Sequence, residues 1–323
     1  MKHILISRTD SIGDVVLTLP MAGVLKEHFP DARISFLGRA YTRPVVERCV
    51  HIDTFFDWNQ IAGCELSDID TIIHVFPRKE ISRWARRQGI STRIGTSHRP
   101  YHWTTCNRLV KLGRKKSDLH EAQLNLQLLR PLVKQLTIPF GQLPSYYGWL
   151  PSADDRQPYD SFLSNDKFNL IIHPKSQGSA IEWPIDHYLQ LARLLPADQF
   201  HLIVTGTSSE GKAIEKEGPE LLQMENVCNA IDAFSLSGFI DFIGQVDGLL
   251  ACSTGPLHLA AASGIRTLGL YSSQRPIHAG RWGPVGFAAE WLSATDESLS
   301  SPALTGITPE EVSRKLLNWV RPL

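Results

Sequence analysis

No apolar run in this chain of 323 residues approaches the roughly 18–20 that a membrane span requires. Met1 to Leu5 carries one lysine and no apolar stretch long enough for a signal peptide, so a cytoplasmic protein is expected. Cysteine is sparse. Cys49, Cys64, Cys106, Cys228 and Cys252 lie far apart with no C-x-x-C pair, which argues against a disulfide framework and a zinc site. Net charge is also missing: 33 Lys and Arg face 33 Asp and Glu. The G-x-G-x-x-G loop and the Walker lysine loop are absent, and no histidine cluster suggests a metal. Gly and Pro total 43 residues and the hydrophobic fraction is 42%, so a collagen-like or disordered chain is excluded. At this length two domains are expected, each with its own core and without a disulfide or metal staple.

What is present is an alternation of short apolar runs and helical periodicity. Lys2–Ser7, Arg33–Gly38, Asp53–Asp57 and Asp70–Val75 read as strands, the first of them buried and parallel. Between the first two, Val15 to His28 has near-helical apolar spacing, with Pro20 placed to kink it or shift its start. Pro139, Pro144, Pro151 and Pro158, with Gly141, Gly148, Ser152, Asp154 and Asp155, mark a linker. The pattern then restarts. Asn169–His173, Gln199–Thr205, Gly248–Cys252 and Thr267–Tyr271 read as strands, and His187–Leu195 and Pro256–Ser263 as helices. A final helix starts at Thr308, an N-cap followed by Pro at N1 and acids in the first turn. The expectation is an α/β protein with two parallel-sheet halves, residues 1–150 and 165–307. Ligands of open parallel sheets bind beyond the strands' carboxyl ends, so the default site is a cleft between the halves.

Four polar loops sit at such ends. Ser11-Ile-Gly13-Asp14 follows the first strand. Gly13 permits a tight turn, and Asp14 opens a helix. Asp14 reads either as a first-turn acid that offsets the helix dipole, worth roughly 0.3–1 kcal/mol, or as a general base. Ser253-Thr254-Gly255-Pro256-Leu257-His258 reads either as an ordinary capped helix start or as a pyrophosphate cradle of helix-end amides and hydroxyls. His258 is a packed histidine or a general acid. Lys175, Ser176 and Gln177, in the loop His173–Ala180, are phosphate or sugar donors or else plain loop residues. Glu210, after Gly206, is a ribose acceptor or a helix acid.

Local charge departs from the neutral total. From Arg78 to Lys116 twelve basic residues accompany one acid, Glu80, with Trp84, Tyr101 and Trp103 interleaved. This is a solvated face, or a basic surface for an anionic partner such as phosphorylated lipid or acidic glycan. No nucleic-acid motif is present, so nucleic acid ranks last as partner.

Taken together these pieces resemble glycosyltransferase family 9, the heptosyltransferases of bacterial lipopolysaccharide synthesis. The resemblance is carried by Ser11-Ile-Gly-Asp14-Val, the loop from His173 to Trp183-Pro184, Ser253 through His258 with Leu-Ala-Ala-Ala, and Arg281-Trp-Gly-Pro-Val-Gly286. Arg93-Ile-Gly95 and His120-Glu121 add to it, in order along nearly the whole chain. It implies a GT-B architecture, two Rossmann-like domains facing a cleft, with the helix at 308–323 packing back on the first domain. It implies inverting, metal-independent transfer, with no cofactor, of a sugar from a nucleoside-diphosphate donor, typically ADP-heptose. The acceptor implied is an anionic, lipid-linked glycan such as lipopolysaccharide core. Asp14 matches the catalytic base. Thr254, Gly255, Pro256, Leu257 and His258 match donor contacts, and Ser253, Lys175, Ser176, Gln177 and Glu210 join them less closely. The acceptor is then expected near Arg8, Asp10, Gly13, His98 and Arg99, with residues 78–116 on the cytoplasmic face of the inner membrane. Two positions depart from the family. Ile181 stands where a Lys or Arg usually precedes the Trp-Pro, and the missing charged contact is worth roughly 1.5–3 kcal/mol. Lys175 is the residue placed to replace it. Ser253 stands where an Asp often holds the donor sugar. A GT-B epimerase or hydrolase, and a non-catalytic nucleotide-sugar-binding protein, are the alternatives.

Overall fold

The computed structural model describes residues 2–61, 66, 68–114, 117–134, 136–151, 157–294 and 304–320. Cys64, Lys116, Ser152, Asp154 and Asp155, singled out above, lie outside the described residues. The chain divides into two units, 1–150 and 151–323.

The first unit is built on β1 (His3–Ser7), β2 (Arg33–Gly38), β3 (Thr54–Asp57), β4 (Thr71–His74), β5 (Thr92–Thr96) and β6 (Arg108–Val110). They form one sheet in the order β3-β2-β1-β4-β5-β6, and every pair is parallel. All five residues of β1 are buried, as a strand covered on both faces requires. Strand order reverses between β1 and β4, so the loops leaving Ser7 and His74 flank the switch point.

The helical stretch after β1 is two helices, Ile12–Val16 and Pro20–His28. Pro20 has no N–H to return to Val16, and the turn at 17–19 closes through Leu19 N–H bonds to Val15 and Val16 instead. The proline-rich stretch is in part folded structure. Phe140–Tyr146 is a 3-10 helix lying directly on Pro20–His28, where a Cβ on Gly23 would stand 2.2 Å from the Tyr146 carbonyl oxygen.

The second unit repeats the topology with β7 (Phe168–His173), β8 (Phe200–Gly206), β9 (Val227–Ile231), β10 (Gly248–Cys252), β11 (Arg266–Tyr271) and β12 (Ala289–Ser293). The order is β12-β11-β10-β7-β8-β9, again all parallel. Its switch point lies between β7 and β10. The helix Pro309–Val320 packs into the core of this unit. Val312, Leu316 and Trp319, spaced i, i+4, i+7, enter a core with Leu170, Trp183 and Tyr188. Trp183 Nε1 donates to the Ile307 carbonyl at 2.8 Å, and Trp319 Nε1 to Glu290 at 3.3 Å.

Described cysteines are free, and burial pushes the thiols of Cys49 and Cys252 up to about 12 and that of Cys106 to about 11. These are packed, unreactive thiols.

Beneath the helix Lys79–Arg87 the first unit buries a histidine pair. His74 and His102 stack at 5.5 Å between centroids, and the absence of a side chain at Gly95 leaves room for His102. His102 Nδ1 donates to the Thr96 carbonyl at 3.0 Å. Among the described residues neither ring nitrogen of His74 has a hydrogen-bond partner. Burial pushes His74 down to about 3, from an ordinary 6.5. The unfolded ring therefore takes a proton below about pH 6.5 while the folded ring does not, and stability is lost as pH falls toward the folded value. We expect about 1.4 kcal/mol of loss per pH unit from this residue between about pH 6 and pH 4. His74→Leu should flatten the decline of melting temperature over that range; an unchanged acid slope would rule His74 out as its source.

Candidate functional site

In the first unit the site grows from the carboxyl end of β1. The chain leaves Ser7 into Arg8-Thr-Asp10-Ser11, and Ser11 caps the next helix with an extended backbone, its side chain accepting the Asp14 N–H. Asp14 thus stands in the first turn. One carboxylate oxygen accepts from the Arg8 guanidinium, and the other accepts from the Ser11 hydroxyl at 2.6 Å. Arg8 Nε also donates to Asp10 at 2.7 Å. The Arg8 side chain is 4% exposed, whereas Asp10 and Asp14 are each 19% exposed. Burial pushes the Asp10 carboxyl up and the Asp14 charge adds to this, against the pull of Arg8.

Behind Arg8 the ion chain continues inward. Glu121, 2% exposed, lies 3.8 Å from Arg8 Nη1 and pairs with Arg114. The Asn125 side-chain oxygen accepts from Arg8 at 3.4 Å and from Arg114 at 3.2 Å, while its amide donates to Leu17 and Thr18. His120 sets the geometry by capping the helix Glu121–Leu126 through a capping box with Gln123. The Arg8 guanidinium, expected near the acceptor, is buried and paired with carboxylates. Gly13 is buried within the helix start. His98 and Arg99 are exposed on the turn after β5, two strands from β1.

The basic region is sorted by its helix. In Lys79–Arg87, Ile81, Trp84 and Ala85 face the sheet, while Arg83, Arg86 and Arg87 line a groove of about 500 Å³ with Trp58 and Glu80. Trp84 is therefore core. Tyr101 packs on His102, and Trp103 is 65% exposed with its indole N–H on the Ser97 carbonyl.

In the second unit two loops flank the switch point. After β10, Thr254 takes the N-cap position of the helix Gly255–Ser263, and Pro256 presets its first turn. Thr254 makes no capping bond. Among the described residues its hydroxyl has no partner, although the residue is 4% exposed. A buried hydroxyl without a partner is uncommon in a native protein. The first-turn amides of a helix likewise lack intrahelical acceptors. Ser253, Gly255 and Pro256 are half-buried beside it, while Leu257 and His258 are buried. The Ser253 hydroxyl bonds Tyr271.

After β7, the loop from Pro174 to Pro184 is organised by Glu182. Its carboxylate accepts from Ser176 N–H and Oγ at 2.8 Å each, and from Lys175 Nζ at 3.1 Å. Lys175 also pairs with Glu217; burial works to lower its pKa, and the two carboxylates outweigh this and raise it. The Lys175 ammonium is thus held between two acids. Ile181 packs against the core. Gln177, with φ of 50°, donates to Thr207 at 2.9 Å. Glu210 takes the structural role of its two readings. It closes a capping box, accepting from Thr207 N–H at 2.7 Å and Thr207 Oγ1 at 2.9 Å. His173 bonds Thr205 at 3.0 Å and faces Glu210 at 3.9 Å; burial pushes it down against the pull of both nearby acids. Among the described residues no three His, Cys, Asp or Glu side chains are arranged to hold a metal ion.

Sequence reasoning passes over Glu182, Asn125 and Arg114 as site residues. The signal for Glu182 was its place before Trp183-Pro184; the other two carry none.

A profile of glycosyltransferase family 9 (heptosyltransferase) matches residues 83–301. A Haemophilus influenzae protein named provisionally as a glycosyltransferase is 27% identical over 303 residues, covering 88% of this chain and 86% of its own. The fold is shared with a family 9 glycosyltransferase from Veillonella parvula at a TM-score of 0.79 and 18% identity, covering 99% and 97% of the two chains. It is shared with Escherichia coli ADP-heptose lipopolysaccharide heptosyltransferase II at 0.72 and 18%, covering 99% and 98%. Escherichia coli heptosyltransferase WaaC with ADP matches at 0.72 and 14%, covering 98% and 99%. The twin parallel sheets, the loops at their switch points and the profile match across most of the sequence lead to one assignment: the chain belongs to glycosyltransferase family 9 and is a glycosyltransferase of the GT-B fold class.

Proposed function

We propose that the chain transfers a heptose from ADP-heptose to lipopolysaccharide core or another anionic lipid-linked glycan, with inversion and without a metal. The observation that carries the reading is Asp14: a carboxylate at a switch point, fixed by a buried arginine yet open on one side. Asp14 takes the proton of the acceptor hydroxyl. The freed oxygen pair attacks the anomeric carbon, and the bond to the diphosphate breaks on the opposite face. Charge then grows on the leaving diphosphate, where the amides of Gly255 and Leu257 and the Thr254 hydroxyl are suited to receive it. ADP and ADP-heptose are the nucleotides named with the Escherichia coli structures, which supports the same donor here.

The groove of Arg83, Arg86 and Arg87 beside exposed Trp103 suits phosphorylated lipid at the cytoplasmic face of the inner membrane. A second reading, a nucleotide-sugar-binding protein without transfer, is favoured by Ile181 and by the commitment of Lys175 to Glu182 and Glu217.

Asp14→Asn should leave ADP affinity unchanged, by calorimetry, while transfer falls about 10²–10⁴-fold. Transfer near the wild-type rate in that variant would remove Asp14 as base; ADP binding with no product from the wild-type chain would establish the second reading. Thr254→Val is nearly isosteric and should weaken ADP binding about fivefold to tenfold, the worth of one hydrogen bond. Equal affinity would place the diphosphate elsewhere. Reversing Arg86 and Arg87 to Glu should abolish sedimentation with anionic vesicles, at about 1 kcal/mol per basic residue, while turnover of a soluble acceptor analogue persists. An epimerase or hydrolase would need no such surface, and undiminished vesicle binding would count for it.

A further inference from the structure

The ion chain behind Asp14 is larger than fixing one carboxylate requires. Arg8 holds Asp14 and Asp10 on its outer side, while its inner side faces Asn125 and Glu121, which Arg114 approaches from beyond. Arg8 and Glu121 are both shut off from solvent, at 4% and 2% side-chain exposure. A buried cation needs a standing partner, because an unpaired charge at low dielectric is strongly disfavoured.

We propose that Arg8 is a positioning residue for Asp14 and that Glu121, shared with Arg114, is the fixed counter-ion that keeps Arg8 paired while Asp14 carries a proton. This rests on Asp14 being the base, as read above. In that step the acceptor O–H bond breaks, its electron pair forms the new bond to the anomeric carbon, and the proton goes to Asp14. Asp14 becomes neutral and Arg8 loses one of its carboxylates. Asp10 stays on the outer, partly exposed side of the guanidinium, at its Nε. Glu121 remains.

Among the described residues the linked groups are two guanidiniums, Arg8 and Arg114, and three carboxylates, Asp10, Asp14 and Glu121. Further groups lie near Asp14. Ser11 and Asn125 are neutral. Tyr41 donates to the Asp10 carbonyl at 2.6 Å and is held protonated by burial, with the nearby acids adding and Arg39 opposing. Arg43 of the neighbouring helix sits over the Phe55 ring and pairs with Glu47.

Glu121→Gln separates charge from shape. With it Arg8 keeps a polar neighbour of the same shape but loses the buried negative charge on its inner side when Asp14 takes a proton. Transfer from ADP-heptose to lipopolysaccharide core should then show kcat down about tenfold with both KM values nearly unchanged, and the acidic limb of the kcat profile moved to lower pH. Arg8→Met should move that limb to higher pH and also lower kcat, and Arg8→Lys should recover part of the loss. Crystal structures give a reading independent of turnover: the Asp14 carboxylate should leave its place in Arg8→Met and keep it in Arg8→Lys. If Asp14→Asn is inactive yet Glu121→Gln and Arg8→Met leave the acidic limb in place, the counter-ion role is overturned and the base survives. If Asp14→Asn is active, both fall together.

Discussion

A parallel sheet whose strand order reverses cannot keep its loops together. On one side of the reversal the connections cover one face, and on the other side they cover the opposite face, so the carboxyl ends of the two central strands are left with a gap. Both units have this reversal, between β1 and β4 and between β7 and β10. Buried strands bring backbone to that gap with hydrogen bonds already satisfied, and in each unit one of them, β1 or β10, is followed by a helix start within a few residues. Helix starts supply unpaired amides and a positive end. The chemistry of the chain follows from what each unit places on this same frame.

The two units use it in opposite ways. The first places an acid, Asp14, in a first helical turn and fixes it with a buried arginine, so electrostatic order runs inward from the site toward Glu121 and Arg114. The second leaves its helix start unfilled: Thr254 is in cap geometry, yet its hydroxyl is not used as a cap. Contrast with Thr207 is instructive. There the same residue type at the same kind of position is satisfied by a capping box with Glu210. A threonine that caps contributes to stability; one held buried and unbonded costs stability.

The central strands were legible because they are buried on both faces and read as unbroken apolar runs, as in His3–Ser7 and Gly248–Cys252. The strands missed were Thr92–Thr96, Arg108–Val110, Val227–Ile231 and Ala289–Ser293, at or next to sheet edges. Their half-exposed positions carry Arg, Thr, Asn and Glu, so no apolar period survives. At the site, backbone-determined features were readable: the Ser11 cap, Pro256 at a helix start, the loops themselves. Side-chain partnerships across long sequence separations were not. Arg8 meets Glu121 more than a hundred positions away, and nothing local distinguishes a buried arginine from an exposed one.

The departure at Ile181 now has a structural context. The loop that would present a cation there is instead drawn together by Glu182, which gathers Ser176 and Lys175 beneath it. Ile181 contributes apolar contact to the core in place of a charge. With Lys175 held by Glu182 and Glu217, the diphosphate contacts proposed above for this loop pair are backbone dipoles and hydroxyls, which stabilise charge by preorganisation and need no counter-ion of their own. A helix end carries about half a charge, less than a lysine, but it is fixed before the reaction begins. The arrangement trades the strength of a mobile cation for the rigidity of the Gly255–Ser263 helix, whose first turn Pro256 holds in place.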